Sequence, residues 1–250
     1  MIIGELWYTE VIEAGDRSER VLGEEPTSVP FIINSAGQTE TKESLVESSS
    51  WLHFRPNVVK DILTHRKSSL GWCTSDTGFI GLAPDHSVHF GINKSGHINV
   101  FAKDIAQLPV WQQRVWGGFN ITPEAEVSNE LLASQYEANP ASTIAPENLL
   151  RDAYTNINNT SSEVLRKSLF FEHEYCDKLF GKCHRFRAIE RSGLYELAKD
   201  LYRLTIERVD PSALSAVVRP QEGEEQKTIK HLQKALEKCG DAQEAKKNCQ

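Results

Sequence analysis

The stretch Val88-His89-Phe90-Gly91-Ile92-Asn93-Lys94-Ser95-Gly96-His97-Ile98-Asn99-Val100-Phe101 constrains the fold more than any other part of the chain. Apolar residues alternate with polar ones on both sides of Lys94-Ser95-Gly96, the pattern of two strands joined by a tight loop. With Gly96 in the left-handed conformation that closes a type I turn plus bulge, Ile92 opposes Ile98, Phe90 opposes Val100 and Val88 opposes Ala102. These apolar pairs share one face. His89, Gly91, Asn99 and Phe101 fall on the other, which is polar with one aromatic and is expected to be open to solvent or a partner. A slip of one residue would set His against Val, so the alternation specifies the register.

Around this hairpin the chain reads as α+β, strand-rich at first and mainly helical later. Strands are expected at Glu5–Ala14, Val29–Asn34 and Trp51–Phe54, with a turn at Asn34-Ser35-Ala36-Gly37. Pro56 opens a short helix carrying Val58, Val59, Ile62 and Leu63 on one face. Val110–Trp116 suits a helix that packs Trp111 back onto the hairpin. The glycines at 71, 78, 81, 91 and 96 have the irregular spacing of turn glycines and match no phosphate loop or dinucleotide fingerprint. Residues 1–125 therefore read as a strand-rich domain. Residues 126–147, with Pro140 and Pro146 and a helical piece near Val127–Tyr136, read as a connection.

From about Asn148 the apolar period changes to the helical 3.6 residues. Thr160-Ser161-Ser162-Glu163 has the form of a capping box, opening a helix through Leu165, Leu169, Cys176 and Leu179 to Gly181. Further helices are expected at Leu194–Arg208 and at Ile229–Leu236, separated by a charged linker at Arg219–Glu225. Residues 148–250 form the expected helical domain, which ends without a clear final helix and so reads as incomplete.

Composition narrows the function classes. The balance of 28 Lys and Arg against 35 Asp and Glu, a formal charge of −7, excludes a surface that is a phosphate-binding field throughout. No apolar run is long enough to cross a bilayer, and Met1-Ile2-Ile3-Gly4-Glu5-Leu6-Trp7 lacks the positive region of a secretory signal. Five cysteines without framework spacing fit reduced thiols. The expectation is a cytoplasmic protein with no membrane partner and no cofactor.

Candidate sites are few. His173, Cys176, Cys183 and His184 are the one dense group of metal-ligand types, though adjacent Cys183 and His184 would have to point the same way. Lys178, Lys182, His184, Arg185, Arg187 and Arg191, with Phe180 and Phe186 among them, form a basic cluster of the kind that RNA phosphates attract, and equally the composition of a solvated turn. Arg166 and His173 fall on a common face of the expected helix, where an Arg could hold a phosphate while a His moves a proton. His86 and His89 with Asp76, Asp85 and Asp104 could converge at the hairpin mouth. None of these is a complete catalytic signature.

Val88-His89-Phe90-Gly91-Ile92-Asn93 through Gly96, Ile98, Val100 and Phe101, continued by Leu108-Pro109, Trp111, Trp116 and Phe119-Asn120-Ile121 with Pro123-Glu124, resembles a group of uncharacterised bacterial proteins. In that group helices resembling the HEPN class follow, and Leu194–Arg208 with Ile229–Leu236 looks like part of such a bundle. The resemblance implies RNA cleavage without a metal by an Arg and a His on one helix, here Arg166 and His173, and a place in defence or toxin systems. It also implies pairing with a second copy through the helical half. Three expectations result: a binding or regulatory module that meets a protein or RNA through the His89, Asn99 and Phe101 face; a HEPN-like ribonuclease; or a helical dimerisation protein.

Overall fold

The structure, a computed structural model, describes residues 28–171, 174–215, 217–218 and 228–238. The expected strand Glu5–Ala14 and the linker Arg219–Glu225 lie outside the described residues. The chain is α+β and divides into two compact units, Met1–Ala145 and Pro146–Gln250.

In the first unit, β1 (Phe31–Ile32) and β2 (Thr39–Glu40) form a small antiparallel ribbon. The expected turn closes it, with Gly37 at φ +75° and the Asn34 side-chain oxygen accepting from the backbone N–H groups of Ala36 and Gln38. Helix α1 (Lys42–Leu45) leads to β3 (Trp51–Phe54), and α2 (Asn57–Ile62) buries Val58, Val59 and Ile62 as their spacing requires. Then come β4 (Ser69–Trp72), β5 (Thr77–Ala83), β6 (His86–Ile92) and β7 (Ile98–Phe101). Helices α3 (Ala102–Ala106) and α4 (Val110–Gly117), strand β8 (Asn120–Ile121) and helix α5 (Asn129–Gln135) complete the unit.

Six strands form one antiparallel sheet in the order β4-β5-β6-β7-β3-β8. The central hairpin has the expected register, Phe90 opposite Val100 and Ile92 opposite Ile98. Its loop closes as expected: Gly96 has φ +79°, and Asn93 accepts from the Gly96 N–H and donates its own to His97. Val88 does not oppose Ala102, because α3 begins at Ala102 and Val88 faces Ile80 of β5 instead.

Leu52, Phe54, Ile80, Val88, Phe90, Ile98 and Val100 are buried in the core with Ile105 and Trp116. Trp116 rather than Trp111 is the tryptophan in the core, its ring 4.8 Å from that of Phe54; Trp111 is only half-buried, near His65. Of the five glycines read as turn glycines, only Gly96 is in a turn; 71, 78, 81 and 91 are in strands. At 78, 81 and 91 the reason is close approach: a Cβ on Gly78 would lie 2.3 Å from the Gly71 carbonyl oxygen and 2.9 Å from the Phe90 ring, whereas one on Gly71 would meet nothing within 4 Å. Those glycines concealed β4 and β5 from a reading based on apolar alternation.

In the second unit α6 (Pro146–Leu165) starts at a proline, which suits the first turn. Thr160-Ser161-Ser162-Glu163 lies inside α6 and caps nothing; the Ser161 hydroxyl instead donates to the Asn158 carbonyl and accepts from the Leu169 N–H. The chain leaves the helix at Arg166, where φ is +60°. After α7 (Cys176–Lys182) and a 3-10 turn at Arg185–Ile189 come α8 (Arg191–Leu204), a second 3-10 turn at Ile206–Arg208, α9 (Pro211–Ser215) and α10 (Thr228–Lys238). Tyr154, Phe170, Cys183, Leu204, Val209, Leu214 and Ala235 form the core, with the Tyr154 and Phe170 rings stacked at 4.4 Å.

Candidate functional site

Side chains alternate across a strand, so the sheet face opposite the core carries Phe79, His89, Gly91, Asn99, Phe101, Trp51 and His53. This is the face expected to be open. Half of it is not.

Helix α5 lies over the row Gly91, Asn99 and His53. A Cβ on Gly91 would sit 2.7 Å from the Cβ atoms of both Leu131 and Ser128, so the missing side chain is what lets the helix seat here. Asn99 is fully buried. Its Oδ1 accepts from the Ser128 N–H at 3.0 Å, which orients the amide so that Nδ2 donates to His53 Nδ1 at 3.0 Å. His53 is thereby held with its proton on Nε2, and burial, assisted by His97, depresses its pKa to about 4. Asn99 is corrected from an exposed binding residue to an internal clamp between α5, β7 and β3, because segment 126–145 packs on the sheet and is not a free connection.

The adjoining row is left partly open. Phe79 opposes His89 across β5 and β6, their rings stacked at 4.6 Å, and Trp51 opposes Phe101 across β3 and β7, their rings 5.2 Å apart. The end of α5 supplies two more groups. Gln135 Nε2 bonds His89 Nδ1 at 3.0 Å, and the Tyr136 ring lies 6.1 Å from Trp51. Phe79 is 46% exposed and Tyr136 60%. Burial lowers the His89 pKa, which keeps the imidazole neutral, and its Nε2 is buried without a hydrogen bond. Asp104, beneath the same helix end, has its carboxyl pushed up by burial against a hydrogen bond from Gln135. His89 and Phe101 therefore keep the places the hairpin gave them. Phe79, Trp51, Gln135 and Tyr136 join them unannounced: the expected strand Trp51–Phe54 held Trp51 but gave no pairing with β7, the glycines of β5 hid Phe79, and only the topology brings Tyr136 near.

The helical candidates are dispersed. Arg185 forks onto Glu147 at 3.0 and 2.8 Å, adding a backbone bond to the same carboxylate. Arg187 donates to Asp200 at 2.6 Å, to Glu196 at 3.2 Å and to the Lys182 carbonyl. Arg191 meets the Tyr195 hydroxyl, and Lys178 lies over the Tyr175 ring. The Arg185 and Arg187 contacts turn those two side chains inward, as ties to α6, α7 and α8, while Lys178, Lys182 and Arg191 stay exposed. His184 is buried, with a pKa lowered to about 4 by burial and by Arg187, and Cys183 is buried beside it.

Cys176 receives an N–H from Arg208, and no group of three or more metal-ligand types gathers among the described residues. His173 lies outside the described residues. Because α6 stops at Leu165, Arg166 is exposed, with φ +60°, and is not on the helix that was to carry it. His86, Asp76 and Asp85 do not join His89 and Asp104 in a metal-binding group. Among the described residues no helix is long and apolar enough to cross a membrane.

Compared with protein-family models, with curated proteins and with solved structures, the chain matches none.

Proposed function

We propose that the chain is a cytoplasmic binding module whose first unit recognises a protein partner through the aromatic row Phe79, His89, Phe101, Trp51 and Tyr136. The observation that carries this reading is the partial exposure of a continuous aromatic row beside a row that α5 seals. Exposed aromatic groups on a rigid sheet offer large contact area at little entropic cost, which is why they anchor protein interfaces. The row contains no Lys or Arg, and its one histidine is held neutral, so it lacks the cations that phosphate demands. An apolar or aromatic side chain of a protein suits it better than RNA does.

The test is photo-crosslinking in cells from a photoreactive residue placed at Tyr136, with the same residue at the exposed Asp85 as reference. One protein is expected at position 136 and not at 85, and it should vanish when Phe79→Ser is added. Identical products from both positions, or a product that is RNA, would count against the reading. A product with twice the chain mass would identify a second copy as the partner.

A further inference from the structure

Gly71 is a glycine that the fold does not require. Its backbone is outside the left-handed region, which among the described glycines only Gly37 and Gly96 occupy. A Cβ built on it meets nothing within 4 Å, unlike one on Gly78, Gly81 or Gly91. A glycine inside a strand weakens it, through backbone entropy and a missing side chain, so the residue carries a cost that neither conformation nor packing explains. Its place in the sheet supplies a reason. Gly71 opposes Phe79, and Phe79 opposes His89, so the three stand in line across β4, β5 and β6 on the face away from the core. The Phe79 and His89 rings are stacked at 4.6 Å with 23° between their planes. That separation is close to the strand spacing of roughly 4.7–4.9 Å, so the stack advances one ring per strand. The next step falls on Gly71, in the edge strand β4, which offers no ring. One face of Phe79 therefore covers His89, while the other looks over Gly71 into open space, and Phe79 is 46% exposed.

Resting on the reading of this row as a protein-recognition surface, we propose that the partner lays one aromatic side chain over Gly71, against the open face of Phe79, as the third ring of the stack. A flat ring covers that face at stacking distance and gains the ring–ring attraction that an aliphatic side chain lacks. Any side chain at position 71 would occupy the same space, which is what the glycine keeps clear. The edge position lets the partner approach from beyond β4 without displacing a neighbouring strand. A nucleobase is also flat, but the row has no Lys or Arg to hold the phosphate that accompanies it.

The experiment titrates the isotope-labelled full chain with N-acetyltryptophanamide, N-acetylleucinamide and adenosine monophosphate, following the backbone amides by NMR. The tryptophan probe is expected to move the Gly71 and Phe79 amides and to bind roughly two- to tenfold tighter than the leucine probe, the nucleotide binding no tighter than leucine. Gly71→Val should remove the response while melting no lower than the parent chain, because its side chain enters open space. Equal response to leucine, tightest binding of the nucleotide, a Gly71→Val that still responds, or one that melts markedly lower would each overturn the proposal. Crosslinking from position 136 separates it from the reading on which it rests. A product lost in both Phe79→Ser and Gly71→Val supports the aromatic insertion. One lost in Phe79→Ser alone leaves the row as the partner surface and removes the insertion, and no product in any background overturns both.

Discussion

Single atoms decide how the sheet face divides. Gly91 admits α5, since any Cβ there meets Leu131 and Ser128 at 2.7 Å. Gly91→Ala should cost on the order of 1–3 kcal/mol, the range for overpacking a filled site. It should also raise hydrogen exchange across residues 129–135. Ordinary stability with unchanged exchange would mean that α5 is not seated on Gly91.

Two histidines make acid the weak side of both units. His53 and His184 each have a folded pKa near 4 against an ordinary 6.5, so the stability they allow is fully present above pH 6.5 and is lost as pH falls toward 4. The loss is on the order of 3 kcal/mol for each at the acid end. In a urea titration followed by pH, His53→Gln and His184→Gln should each flatten part of this dependence. Neither residue announced itself in the sequence as buried. His53 alternates with core residues on a short strand, and only the pairing of β3 with β7 shows that Asn99 waits beside it.

At the scale of elements, legibility followed the strength of the local pattern. The hairpin was readable because four apolar positions, Phe90, Ile92, Ile98 and Val100, and one turn glycine agree on a single register. β4 and β5 were not, because Gly71, Gly78 and Gly81 remove the side chains that make alternation visible, and at Gly78 and Gly81 what requires a glycine is contact with other strands. The helix after Thr160 was misread for a related reason: four residues imitate a cap, while the true start at Pro146 depends on packing Tyr154 and Leu150 into the unit. Likewise the basic cluster looked solvated because its carboxylate partners, Glu147, Glu196 and Asp200, come from other elements. Arg187 is the tie most readily tested. Asp200 is almost fully buried, and Arg187→Met leaves it only the more distant Arg203 at 3.8 Å, so the change should cost up to roughly 3–5 kcal/mol, the range for a broken buried pair. Asp200→Asn added to Arg187→Met should recover part of that loss, measured by chemical denaturation. Full additivity of the two changes would mean that the pair is not coupled.

For the whole molecule, the two units carry different chemistry on separate cores. The first offers an aromatic row and a sealed polar row on one sheet; the second uses Arg185 and Arg187 for internal ties and leaves a hollow beside Cys176. The partner-binding reading stands on the first. Its most direct measurement is the dissociation constant for the crosslinked protein, by calorimetry, with Phe79→Ala, Tyr136→Ala and Asp85→Ala. Each aromatic change should weaken binding by about tenfold or more, as loss of an anchoring side chain does, while Asp85→Ala leaves it unchanged and all three variants melt like the parent chain. Binding that survives both aromatic changes would contradict the assignment of the aromatic row as the recognition surface.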